Sequence, residues 1–288
     1  MADVVFAAVP TPFTANGDVD TGAAHQLYGF LAGVVDGLFV AGTTGELPAL
    51  DDSERLALIE AALDAVGPDR VIAHIGAPDA RRAARLAGSA AGLGATRLAA
   101  ITPFYLAPRH DEVTAYYDTI RQAAPAAGLY SYVFPERTGL TVAPEQFASL
   151  AEAVGLTGAK FSGDAARNVA ACAAACPGLK IFSGDDTDLA ATLRDGGAGI
   201  ISARASAYPE VFSALFAALA SGSQEEAARH QAKVTAIAST GASIGRIKEA
   251  LRVRGFDSMA ARMPVDVPDE ATAASIAELV RSLAPAAA

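Results

Sequence analysis

Residues 129–162 read LYSYVFPERTGLTVAPEQFASLAEAVGLTGAKFS, and the order of patterns in them decides the fold. Leu129–Phe134 is an unbroken apolar run of strand length, as expected of a strand buried on both faces of a parallel sheet. Pro144-Glu145 then places proline and an acid in a first helical turn, and apolar residues follow at helical spacing. A second apolar run, Leu156–Ser162, closes the unit, although Gly158 and Lys160 inside it make it the weakest of its kind.

The same alternation extends in both directions. Strand-like runs also occupy Val4–Val9, Gly37–Gly42, Val71–Gly76, Arg97–Thr102, Leu179–Gly184 and Ala198–Ala203, giving eight in all. Helical patterns fill the gaps: Thr21–Val34, one opened by Asp51-Asp52-Ser53-Glu54, one preceded by Asp79, Asp111–Ala123, Ala165–Ala175, Asp186–Arg194 and one opened by Pro209-Glu210. Eight strands, each followed by a helix, make the count for a (β/α)8 TIM barrel over 1–222. The first run ends in Val9-Pro10-Thr11-Pro12 rather than a G-x-G-x-x-G turn, which disfavours a doubly wound nucleotide-binding sheet. Beyond 222 the pattern is helical only, at 223–240, 243–254 and 270–283, so 223–288 reads as an all-helical C-terminal extension.

Composition narrows the function. The 288 residues are 52% hydrophobic and 19% charged, the balance of a folded globular chain. A net charge of −10 disfavours nucleic acid, and the cluster Arg81, Arg82, Arg85 reads as one solvated helix face. No apolar run reaches the roughly 18 residues of a membrane span, and the N-terminus lacks a signal-peptide pattern, so a cytoplasmic location is expected. Cys172 and Cys176 read as small buried hydrophobes, His74 as a packed core residue, and no metal site is expected.

Reactive groups of such barrels lie at the C-terminal ends of the strands. Those ends carry Gly42-Thr43-Thr44-Gly45-Glu46, Thr102-Pro103-Phe104-Tyr105, Tyr132 with Pro135-Glu136-Arg137-Thr138-Gly139, Lys160, and Ser183-Gly184-Asp185-Asp186. The chain has four lysines, of which Lys160 lies well inside a buried run; Lys180 begins a strand, at the end opposite the expected site, and Lys233 and Lys248 are expected on solvated helix faces. A buried ammonium is costly, so Lys160 either pairs with an acid or loses its proton and does covalent work. Burial lowers an amine pKa and yields the nucleophile of Schiff-base chemistry. Tyr132, one strand away, either packs or moves protons, with Thr44 and Tyr105 as further hydroxyls of a relay. The glycines around Thr43 and Thr44 permit a tight turn with exposed N–H groups, suited to a carboxylate. Arg137, three residues past a strand end, reads by itself as the partner of an acid such as Glu136 or Glu145.

The ordered set Pro10-Thr11-Pro12-Phe13, Gly42–Glu46, Thr102–Tyr105, Tyr132-x-x-Pro135-x-Arg137-Thr138-Gly139, Gly158-Ala159-Lys160 and Ser183–Asp186, with Ile247–Leu251 near the end, resembles the dihydrodipicolinate synthase and N-acetylneuraminate lyase family of pyruvate-dependent class I aldolases. The resemblance implies that Lys160 forms an imine with pyruvate and that Tyr132 moves protons, linked through Thr44 to a Tyr105 supplied by a neighbouring subunit. It further implies that Thr43 and Thr44 hold the pyruvate carboxylate, that Gly184 and Ile201 line the pocket, and that Arg137 meets the carboxylate of the second substrate. A homotetramer built as a dimer of dimers, small-molecule substrates, no cofactor beyond the covalent imine, and aspartate semialdehyde as acceptor in lysine biosynthesis follow from it. Alternatives are a 2-keto-3-deoxy sugar acid or N-acetylneuraminate aldolase, and a catalytically silent keto-acid-binding regulator. Departures from the synthase pattern fall on the acceptor side: Val133, Glu136, Leu106 and a segment after Lys160 that is one residue shorter.

Overall fold

The computed structural model describes residues 4–106, 108–241 and 243–283. Each of the eight apolar runs matches a strand, the fifth starting one residue early at Gly128: β1 (Val5–Ala8), β2 (Gly37–Val40), β3 (Val71–His74), β4 (Arg97–Ile101), β5 (Gly128–Val133), β6 (Gly158–Phe161), β7 (Lys180–Ser183) and β8 (Gly199–Ser202). They close in sequence order into one parallel barrel. The sequence reading of a (β/α)8 barrel followed by helices therefore holds. In a parallel barrel all C-terminal strand ends share one rim, the rim that carries chemistry in this architecture.

Two compact units divide the chain. The first holds Val4 with Gly67–Ile201, and therefore β3 to β7 and most of β8. Its helices are α3 (Ala80–Gly92), α4 (His110–Ala123), α5 (Pro135–Thr138), α6 (Pro144–Val154), α7 (Val169–Ala175) and α8 (Leu189–Arg194). Asp79 caps α3 by accepting the Arg82 N–H at 2.9 Å, and Pro144 takes the first position of α6. Register is explicit: Tyr132 stands opposite Lys160, and Lys160 opposite Phe182. Gly158 lets β5, β6 and β7 approach, since a Cβ there would sit 2.2 Å from the Lys180 carbonyl oxygen and 2.7 Å from the Tyr130 ring.

The second unit holds Val5–Val66 with the described residues from Ser202 onward. It contains β1, β2, α1 (Thr21–Ala32), α2 (Asp52–Val66), α9 (Pro209–Ser221) and the C-terminal helices α10 (Gln224–Ser239), α11 (Ile244–Val253) and α12 (Glu270–Leu283). These last three match the expected C-terminal helices. The structure corrects the expectation for Lys248, which is buried on α11 rather than solvated, with its Nζ 2.6 Å from Glu46 Oε1. A helical position that looks solvated by spacing becomes internal when the next segment of chain folds over it, as 259–263 does here through the Ala260 N–H to Phe13 carbonyl bond and the Arg262 contacts.

Two helices differ from their sequence patterns. The one expected over Ala165–Ala175 is a 3-10 turn, Gly163–Asn168, followed by α7. The one expected from Asp186 starts only at Leu189. Asp185 Oδ1 accepts both the N–H and the hydroxyl of Thr187, a local turn that competes with helix, and Asp188 then caps α8 through the Ala191 N–H. Asp186 is thereby left buried in the loop.

Candidate active site

In the first unit, β6 carries Lys160 at its C-terminal end, 6% exposed. Its Nζ lies 4.6 Å from the centre of the Tyr132 ring. Burial pushes the amine down to about 7, partly opposed by the negative charge of Asp186. At neutral pH a large share of this lysine is the free, nucleophilic amine. An unperturbed lysine would offer roughly one part in a few thousand.

The Tyr132 ring is boxed by its neighbours. It meets His74 edge-on at 6.1 Å and Phe134 at 6.1 Å. His74 is fully buried, and its Nε2 accepts the Ile101 N–H at 3.0 Å. That bond places the ring hydrogen on Nδ1 and fixes a neutral imidazole against the tyrosine. The core assignment of His74 thus holds, and its edge also orients a residue of the site.

Other expected site residues of this unit take distinct places. Gly184 follows β7 and donates its N–H to the Phe161 carbonyl at 2.7 Å; a Cβ on it would collide with the Ser162 hydroxyl. Ile201 is buried within β8. Arg137 is exposed on α5, its guanidinium 5.4 Å over the Phe134 ring. The acid beside it is engaged elsewhere: the Glu136 carboxylate accepts the Asp164 N–H at 2.7 Å, lying where a Cβ on Gly163 would be, and Gly163 itself has φ +61°. The two acceptor-side departures in the sequence, Glu136 and the shortened segment after Lys160, are therefore one coupled feature. A cavity of about 580 Å³ opens beside them, with Glu136, Gly163, Asp164, Ser183, Gly184 and Asp185 in its lining.

Tyr105 stands apart. It is 93% exposed on the loop after β4, at φ +79°. Left-handed backbone at a bulky non-glycine residue is uncommon and costs on the order of 1 kcal/mol. Among the described residues its hydroxyl has no partner.

In the second unit, the stretch after β2 forms a tight turn bracketed by two left-handed non-glycine residues, Ala41 at φ +58° and Glu46 at φ +60°. The Thr43 carbonyl accepts the Glu46 N–H at 3.0 Å, and the Gly42 carbonyl accepts the Leu47 N–H at 3.2 Å. Thr11 donates its hydroxyl to the Gly45 carbonyl at 2.7 Å. Thr43 and Thr44 are half-buried at the crest of this turn. A Cβ at Gly42 would lie 2.5 Å from the Phe39 ring.

Two contributors went unrecognised in the sequence. Asp186 was visible only as the second acid of Ser183–Asp186, and nothing in the pattern says which of two adjacent acids turns inward. Glu46 was visible as the last residue of the Gly42–Glu46 turn, but its partners lie more than 200 residues away in the chain. Of the two cysteines expected to be buried, Cys172 is, and burial pushes its thiol up to about 12, which leaves it unreactive, whereas Cys176 is only half-buried because it lies just past the end of α7.

The first unit thus carries a buried lysine of depressed pKa on the sixth barrel strand with Tyr132 against it, and the second carries a threonine turn after the second strand. The dihydrodipicolinate synthetase family model matches residues 1–283. A 4-hydroxy-tetrahydrodipicolinate synthase of Synechococcus sp. (strain CC9605) is 34% identical over 91% of this chain and 88% of its own. An uncharacterized DapA-like lyase of Halobacterium salinarum is 36% identical over 91% and 87%. Among solved structures, the prophage protein YagE of E. coli K12, determined in complex with pyruvate, superposes with a TM-score of 0.90 at 28% identity, covering 98% of each chain. With the barrel, the motif order and the whole-chain match in agreement, this chain belongs to the dihydrodipicolinate synthetase family of lyases.

Proposed function

We propose that this protein is a Schiff-base aldolase that joins pyruvate to an aldehyde, with aspartate semialdehyde as the acceptor. The observation that carries the reading is Lys160: a buried amine lowered to about 7 and stacked on Tyr132. The free amine adds to the C2 carbonyl of pyruvate, and loss of water gives the imine. The protonated imine is itself the electron sink, so a C3 proton can leave to form the enamine. The enamine carbon attacks the aldehyde carbon, whose oxygen takes up a proton, and water then releases the product and restores the amine. Tyr132 would pass protons in these steps, with Thr44 and Tyr105 completing the relay. Thr43 and Thr44 would hold the pyruvate carboxylate, and Gly184 and Ile201 would line the pocket.

Arg137 supports a carboxylated acceptor. It forms no ion pair with Glu136 or Glu145 among the described residues, so its guanidinium is available for a bidentate contact. The bare exposure and left-handed backbone of Tyr105 support its use by a neighbouring subunit in a homotetramer. A cytoplasmic role in lysine biosynthesis follows from the acceptor. Cleavage of a 2-keto-3-deoxy sugar acid is the second reading, favoured by one observation: carboxylates of Glu136, Asp164 and Asp185 line the adjoining cavity, where they would accept hydrogen bonds from a polyol. Incubation of the enzyme with pyruvate and a panel of aldehydes, read by product mass, tests the assignment. A product from aspartate semialdehyde and not from neutral sugars supports it; a product from glyceraldehyde or a hexosamine alone overturns it.

A further inference from the structure

The Glu46 carboxylate receives three hydrogen bonds in a buried setting. Oε1 accepts from Lys248 Nζ at 2.6 Å. Oε2 accepts from the backbone N–H groups of Arg262 at 2.9 Å and Met263 at 2.7 Å. Both charged side chains are almost wholly inaccessible, at 3% for Lys248 and 0% for Glu46. The Lys248 ammonium also donates to the Ala260 carbonyl and lies 4.6 Å from the centre of the Phe13 ring. The Arg262 guanidinium lies 4.5 Å from the centre of the same ring, and its two terminal nitrogens clasp the Glu54 carboxylate at 2.6 and 2.8 Å. Its NH1 reaches the Ala49 carbonyl as well.

A buried ion pair is weak evidence for stability, because apolar residues of the same shape often serve a fold as well. Its better-attested use is to fix geometry. Here the geometry in question is unusual. Glu46 holds a left-handed backbone that relaxed chain avoids, and such a conformation persists only where its surroundings over-determine it. Besides the backbone bonds of the turn, those surroundings are the partners of its own side chain. They come from α11 and from 260–263, whereas Thr43 and Thr44 stand three and two residues before it on the same turn.

We propose that Glu46 is a positioning residue, and that Lys248 with 260–263 forms a brace by which the C-terminal extension sets the Thr43-Thr44 turn for the keto-acid carboxylate. The inference rests on the function proposed above, in which that turn binds pyruvate. The all-helical extension is then part of the site's scaffold, not a passive cover. Glu46 and Lys248 touch no substrate; they act through the turn. Loosening the turn should weaken pyruvate binding and leave the bound imine's chemistry nearly intact.

The test is borohydride trapping of the pyruvate imine as a function of pyruvate concentration in wild type, Glu46→Gln and Lys248→Met, with kcat, acceptor KM and thermal melting measured alongside. Glu46→Gln keeps the shape but leaves an amide N–H facing a donor on one side, either the Lys248 ammonium or the Arg262 and Met263 N–H groups. Lys248→Met keeps those two bonds and removes the ammonium, so it remains informative if the first variant does not fold. Half-saturating pyruvate should rise about tenfold or more, the loss expected when one charge-assisted hydrogen bond to an anion is misplaced. Labelling at saturating pyruvate, kcat and acceptor KM should stay within about threefold. Folded variants that melt earlier but keep the wild-type pyruvate dependence would overturn the brace and leave the aldolase reading standing. A wild-type enzyme that never traps pyruvate would remove that reading, and the brace with it.

Discussion

The depressed pKa of Lys160 makes a prediction that a pH series can decide. With the amine titrating at about 7, its reactive fraction rises from about 9% at pH 6 to about 91% at pH 8, then levels off. Initial rates of imine formation at limiting pyruvate, trapped with borohydride and counted by intact mass, should therefore climb roughly tenfold over that interval and flatten above it. A lysine with the ordinary pKa of about 10.4 behaves differently: its amine fraction climbs about a hundredfold over the same interval and continues to rise through pH 9. The slope and the plateau separate the two cases without reference to absolute rate. Because Asp186 is the charge that opposes the burial effect, Asp186→Asn should move the midpoint below that of wild type. A profile still rising tenfold per pH unit at pH 9, or a midpoint that moves upward in Asp186→Asn, would refute the electrostatic account of this site.

Stability should register the same proton. Lys160 is depressed on folding, so between about pH 7 and pH 10 the unfolded chain binds more protons than the folded one, and stability rises with pH across that window. Lys160→Met should then raise the melting temperature by several degrees at pH 6 and by less at pH 9; an equal gain at both would contradict the linkage. Arg137→Ala should reduce kcat/KM for a carboxylated aldehyde roughly tenfold to a few hundredfold, with pyruvate imine formation intact, because hydrogen bonds to a charged group contribute about 1.5–3 kcal/mol. Equal losses for neutral and carboxylated acceptors would make the arginine structural. Once subunit exchange is demonstrated by mass, mixing Tyr105→Phe with Tyr132→Phe protein should restore activity that neither has alone; no recovery would mean that each site is built from one chain. Gly158→Ala should cost about 1–3 kcal/mol in urea melts, since its Cβ would overlap the Lys180 carbonyl, and an unchanged midpoint would contradict that packing.

The barrel was legible because every strand is buried on both faces, which forces continuous apolar runs, and because prolines and acids mark the helix starts. Val71–His74 and Gly199–Ser202 fall inside their expected runs for this reason. The helix expected from Asp186 was misread because side chains of the Asp185–Asp188 stretch turn back on their own backbone, which apolar spacing does not report. Lys160 and Tyr132 stood out because polar groups inside buried strands are rare and costly. Lys248 did not, since one helical lysine among alternating apolar and charged residues looks like any solvated one. Only the fold of 259–263 across it, together with an acid near residue 46, makes it an interior cation. Glu46 was missed for the same reason: a contact spanning 202 positions leaves no local trace.

Whether Lys160 is the nucleophile can be settled on the protein itself. The wild-type protein is incubated with pyruvate, reduced with borohydride, digested and mapped by mass. A single reduced pyruvate per chain is expected, on Lys160. Label on Lys180, Lys233 or Lys248, or no label at all, would contradict it.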